Sequence, residues 1–263
     1  MKNTKSIFAV FMALSALFSV SSCKKDKLKG KGTVKLTFDS RAGNANFAYG
    51  TEYTNAAGEK LTFTKLQYYV SNFVLIKEDG SEYVVPQELT YRLIDEGVAG
   101  SEVITLPDIP AGEYTKVKFI VGVDSLRSTM DVSKRTGDLD PAGKAADMYW
   151  SWNSGYIFFK IEGTSPASTR TGNVFMYHIG GYGGYSTPTA NNIRTITLTS
   201  PNAIEIGEGR APEVHIYADI LESLKTPTTI SIANTAVVHM PMAATTFANN
   251  YADMFKIDHV HNE

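Results

Sequence analysis

The chain predicts an all-β protein, an antiparallel β-sandwich of Greek-key-like connectivity carrying one or two short helices. Three observations predict it. Apolar residues recur at every second position, as Val34, Leu36 and Phe38 do and again Val117, Phe119 and Val121, which is the period of a strand with one buried face. Gly, Pro, Asp and Asn interrupt these runs at short spacing, where the chain must turn. Helical periodicity is scarce: Ala243, Phe247, Tyr251 and Met254/Phe255 share one helical face, and 219–225 is long enough for a turn or two.

In chain order, residues 1–22 read as an export signal. Lys2 and Lys5 form a positive start, and Ile7 to Val20 make an apolar run too short to span a bilayer. The run ends Val20-Ser21-Ser22-Cys23. Small residues before a lone cysteine resemble the lipobox of bacterial lipoproteins, which makes Cys23 the expected lipidated residue and places the protein in the bacterial cell envelope, anchored at the outer membrane. Residues 23–32 read as a flexible, charged tether, and 33–263 as a single β domain.

Within that domain the strand candidates after 33–38 are 73–77, 82–86, 89–95, 102–106, 114–124, 156–162, 172–179, 193–199 and 213–219. Segment 65–73 is ambiguous, because Leu66, Tyr69, Val70 and Phe73 also match a helix. The weakly patterned stretches 125–149, 163–171 and 180–192 read as loops able to carry sites.

Composition narrows the function classes. The 263 residues carry a net charge of only −2 and no long basic run, so the electrostatic footprint of a nucleic-acid binder is missing. One cysteine allows neither an internal disulfide nor a thiolate metal cluster. No nucleophile elbow, phosphate-binding loop, H-E-x-x-H or dinucleotide fingerprint is present, so the reading is a non-enzymatic protein. Gly180 to Gly184 lack the strand-to-helix context of a phosphate loop and read as a tight turn, and Asp138 and Asp140 as a solvated turn.

Five histidines remain, and imidazole is the ligand that suits copper and zinc when thiolates are lacking. His178 shares a strand face with Val174 and Met176 and is expected to point to an apolar side. His215 alternates with Val214 and Ile216, which gives it a solvent-facing ring and the weakest claim to be a ligand. His239 precedes Met240-Pro241-Met242, whose thioethers are soft donors. His259 and His261 are two apart, so in an extended segment both project from one face and can share an ion. The only two tryptophans, Trp150 and Trp152, also lie two apart.

Several segments, taken in order, resemble the MbnP-like family. They are Lys65-Leu66-Gln67-Tyr68-Tyr69-Val70-Ser71-Asn72, Gly122-Val123-Asp124-Ser125, Met148 to Tyr156 with its Trp150-Ser151-Trp152, His178-Ile179-Gly180, and the terminal Phe255 to Asn262. The resemblance implies a β-rich periplasmic or surface protein linked to copper acquisition. It also implies a ligand pool of His178, His239, His259 and His261, with copper as the metal and zinc as its rival. In some relatives a tryptophan oxidised to kynurenine by a dihaem MauG-type enzyme joins the site. That makes Trp150 the first and Trp152 the second candidate for modification, and a dihaem peroxidase the implied partner. Some relatives place a histidine two after the modified tryptophan, where this chain has Trp152. The competing reading is an interaction module that presents Trp150, Trp152, Tyr182 and Tyr185 to a glycan or a protein.

Overall fold

A computed structural model describes residues 27–150, 155–185 and 187–262. Cys23, the expected lipidation position, and Trp152, one modification candidate, lie outside the described residues. The strands are β1 (Lys31–Ala42), β2 (Ala45–Asn46), β3 (Glu52–Thr54), β4 (Lys60–Lys77), β5 (Glu82–Val84), β6 (Arg92–Asp95), β7 (Val103–Pro110) and β8 (Gly112–Val121). There follow β9 (Tyr149–Trp150), β10 (Gly155–Thr164), β11 (Val174–Gly180), β12 (Arg194–Ile206), β13 (Glu213–Asp219), β14 (Val237–Val238) and β15 (Phe255–His261). Helical structure is short: α1 (Ser125–Ser128), α2 (Thr245–Tyr251) and a few 3-10 turns, among them Ile220–Leu224. None of the described helices is long and apolar enough to cross a membrane.

The strands form the expected all-β sandwich of two sheets. The smaller runs β15-β13-β1-β2 with β7 also on β1; the larger runs β12-β8-β4-β10-β11-β14, with β3, β5 and β6 on β4 and β9 on β10. Most pairings are antiparallel, but β1 lies parallel to β13 and β11 parallel to β14. Strand β1 begins at Lys31, and just before it the Lys29 carbonyl accepts the Glu208 amide at 2.9 Å.

The main core lies between the sheets, and side-chain parity follows it. Strand β13 turns Val214, Ile216 and Ala218 inward, and β11 turns Phe175, Tyr177 and Ile179 inward. The ambiguity over 65–73 has a physical cause. Strand β4 sends Leu61 and Phe63, then Leu66, Tyr68 and Val70, then Phe73 and Leu75 into the core. Its register against β10 slips between Lys65 and Phe63, and against β8 between Ser71 and Val74. Asn72 takes a φ of 55° at the second slip. Each bulge shifts the alternation by one residue, so a bent strand imitates helical spacing. Tyr69 faces the other way, into a second core.

That second core covers the outer face of the large sheet. It contains Tyr69, Leu93, Met148, Trp150, Tyr156 and Phe158, closed over by residues from 125–149. The stretch that read as a loop is therefore a lid of short turns. Tyr69 and Tyr156 each donate at 2.6 Å to carbonyls of Asp138 and Leu139. Asp138 is a tether rather than a free carboxylate, accepting the Leu93 amide at 3.1 Å and Lys144 at 2.8 Å.

Candidate metal centre

The outer face of the small sheet gathers three imidazoles. In the register of β13 with β15, His215 faces His259 and Glu213 faces His261. Strand β15 begins with Phe255 and Ile257 in the core; strict alternation would send His259 and His261 inward as well. The register instead slips next to His215/Ile216, leaving Asp258 as the extra residue. Beyond it Val260 packs on the core while His259 and His261 face outward beside His215.

The rings are close. His215 and His259 stack with centroids 4.4 Å apart, and His261 stands edge-on to His259 at 4.7 Å. One ligating atom from each of the three lies within 4.8 Å of the others. His259 Nε2 and His261 Nε2 are 3.0 Å apart.

Carboxylates orient two of these rings. His215 Nδ1 is 2.8 Å from Asp39 Oδ2, and His259 Nδ1 is 2.6 Å from Asp258 Oδ2. Hydrogen bonds from His259 and Tyr217 hold the Asp258 carboxyl below its ordinary range, so it is an ionised acceptor. An ionised carboxylate accepts only, which places the proton of each ring on Nδ1 and leaves the Nε2 lone pair outward. This carboxylate–histidine arrangement is the one found behind metal-bound imidazoles. A thiolate-free set of three convergent nitrogens fits copper or zinc. The centre borders a cleft of about 500 Å³ that includes Asp39, Tyr217 and His259 in its lining.

The expected ligand pool is thus divided. His259 and His261 join, but their third partner is His215, the histidine the sequence favoured least. Its ring does face away from the core, as expected, yet it is half-buried between Asp39 and His259 rather than free in solvent. His178 is on the outer face of the other sheet, because the larger apolar set Phe175, Tyr177 and Ile179 takes the core side of β11. The apolar surroundings expected for His178 are replaced by a polar chain. His178 Nε2 is 2.7 Å from Glu162 Oε1, and Glu162 is 3.6 Å from the buried Lys160 ammonium. Burial lowers the His178 imidazole below its usual range, opposed by Glu162 and helped by Lys160. His239 is exposed beyond β14 and is not one of the three clustered histidines.

Trp150 is 7% exposed, inside the second core, with its ring edge against Gly180. A Cβ at Gly180 would lie 2.7 Å from that ring. His178 is two residues before Gly180, on the same strand face, so Trp150 and His178 share the outer surface of the large sheet. Buried in this way, Trp150 offers no ring face to a glycan; of the proposed platform, Tyr185 is 80% exposed and Tyr182 half-buried.

A two-sheet β-sandwich with a histidine cluster on its outer face is the class that fold and site define. The chain belongs to the MbnP family, whose model matches residues 31–241. That match contains His178, His215, His239 and Trp150 and stops short of His259 and His261. Among solved structures, MbnP from Methylosinus trichosporium is similar over 88% of this chain and 98% of its own, with a TM-score of 0.53 and 16% identity. No curated protein sequence matches.

Proposed function

We propose that this protein is a non-enzymatic metal-binding protein of the bacterial envelope, with copper held by His215, His259 and His261. The observation that carries the reading is the convergence of the three imidazoles within 4.8 Å, two of them backed by carboxylates. Copper is chosen over zinc from the family resemblance of the sequence. Neutral imidazole accommodates both oxidation states of copper. The chain's own residues bind and orient: Asp39 and Asp258 fix the rings, and the bulge at Asp258 aims them.

The lipobox-like Val20-Ser21-Ser22-Cys23 supports anchoring at the outer membrane. The resemblance of the Trp150 segment supports a second feature, oxidation of a tryptophan to kynurenine by a dihaem peroxidase that supplies the oxidising equivalents. The shared surface of Trp150 and His178 is where that modification would meet an imidazole.

Competition titration of the full chain with Cu(I), Cu(II) and Zn(II), compared with His259→Ala, tests the reading. One copper equivalent, bound more tightly than zinc and weakened at least about tenfold in the variant, is expected. Equal binding by the variant would remove the site.

A further inference from the structure

The three imidazoles occupy three corners of a four-cornered patch, and the fourth corner is a carboxylate. Strands β13 and β15 pair Glu213 with His261 and His215 with His259. Residues two apart share a face and directly opposed residues are neighbours. Glu213, His215, His259 and His261 therefore project together from the outer surface.

The carboxylate is held in place without being used up. Thr37 on β1 donates to Glu213 Oε1 at 2.6 Å. The same oxygen is 3.6 Å from His215 Nε2, too long for a hydrogen bond, and on the side where that ring presents its lone pair. A carboxylate anchored by Thr37 beside three convergent imidazoles offers the cluster an oxygen donor.

We infer that Glu213 is the fourth donor of this centre, so that the site is a three-nitrogen, one-oxygen set that prefers divalent Cu(II) and Zn(II) over Cu(I). This rests on the metal reading above and adds the ligand that sets the oxidation state. A carboxylate is a hard donor that brings one negative charge, and it suits a dication better than Cu(I), for which imidazoles alone suffice.

The test uses the full chain with Cys23→Ser, so that a free thiol takes no Cu(I), and compares it with the same chain carrying Glu213→Gln. Glutamine keeps an oxygen for Thr37 and removes the charge. Cu(II) and Cu(I) affinities are measured by competition, and the Cu(II) site by electron paramagnetic resonance. The expected result is a loss of Cu(II) affinity of about tenfold or more and a changed Cu(II) spectrum that keeps its nitrogen couplings, with Cu(I) affinity retained. Thr37→Val, which frees the carboxylate without removing it, should give a smaller loss in the same direction. A Cu(II) spectrum and affinity unchanged by Glu213→Gln, or equal losses for both oxidation states, would overturn the inference. His259→Ala separates the two claims. If it weakens copper binding while Glu213→Gln does not, only the fourth ligand falls; if it changes nothing, the whole centre falls.

Discussion

His215 and His259 stack across β13 and β15 with ring planes 10° from parallel, although they lie far apart in the chain and only one of them falls within the family match. Their meeting depends on one extra residue, Asp258, which also supplies the carboxylate behind His259.

Removing either orienting carboxylate should weaken the centre while leaving the three imidazoles in place. Asp39→Asn and Asp258→Asn are each expected to lower copper affinity by about 10–100-fold. Competition titration beside His259→Ala checks this, and wild-type affinity in both variants would show that the rings orient themselves.

His178 lies on the outer surface of the opposite sheet, in the chain with Glu162 and Lys160. His178→Ala should therefore keep copper affinity within about twofold of wild type, as expected for sites that share no partner. A loss as large as that of His259→Ala would return His178 to the ligand set.

Asp124 closes the loop that follows β8. Burial alone would raise its carboxyl, but hydrogen bonds from Tyr91, Asn72, the Arg127 amide and Gln87 hold it below the usual range. The folded state then binds this proton less readily than the unfolded chain. Its stabilisation is present above the ordinary carboxylate range, near pH 4, and is lost as pH falls through the lowered value. Asp124→Asn should cost about 1–3 kcal/mol at neutral pH, and the Tm gap between the two proteins should narrow towards pH 3. A gap independent of pH would assign the cost to packing.

Gly180 is pressed against the Trp150 ring and the Tyr156 carbonyl. Gly180→Ala should destabilise the protein by about 1–3 kcal/mol through overpacking and shift tryptophan emission, as read by thermal unfolding and fluorescence. An unchanged Tm would mean that the second core yields easily at this point.

Much of the fold was legible. Alternation in β1, β8 and β13 reads directly from Val34/Leu36/Phe38, Val117/Phe119/Val121 and Val214/Ile216, because one face of each strand meets the core and the other does not. Where a strand is buried on both faces or bulged, the pattern fails for physical reasons. Strand β4 holds an extra residue at two register slips, against β10 near Lys65 and against β8 near Asn72, and packs Tyr69 into a second core, so its apolar spacing imitates a helix.

The site divides along the same line. Sequence by itself determined the donor chemistry: one cysteine, five histidines and a terminal His259-Val260-His261 able to chelate. Which histidine completes the set was decided only by tertiary structure, because the choice depends on a strand register and a bulge. A single inserted residue reverses the face of every side chain beyond it. At Asp258 that reversal carries His259 and His261 out of the core direction and onto His215, while the competition for the core side of β11 turns His178 to the opposite surface.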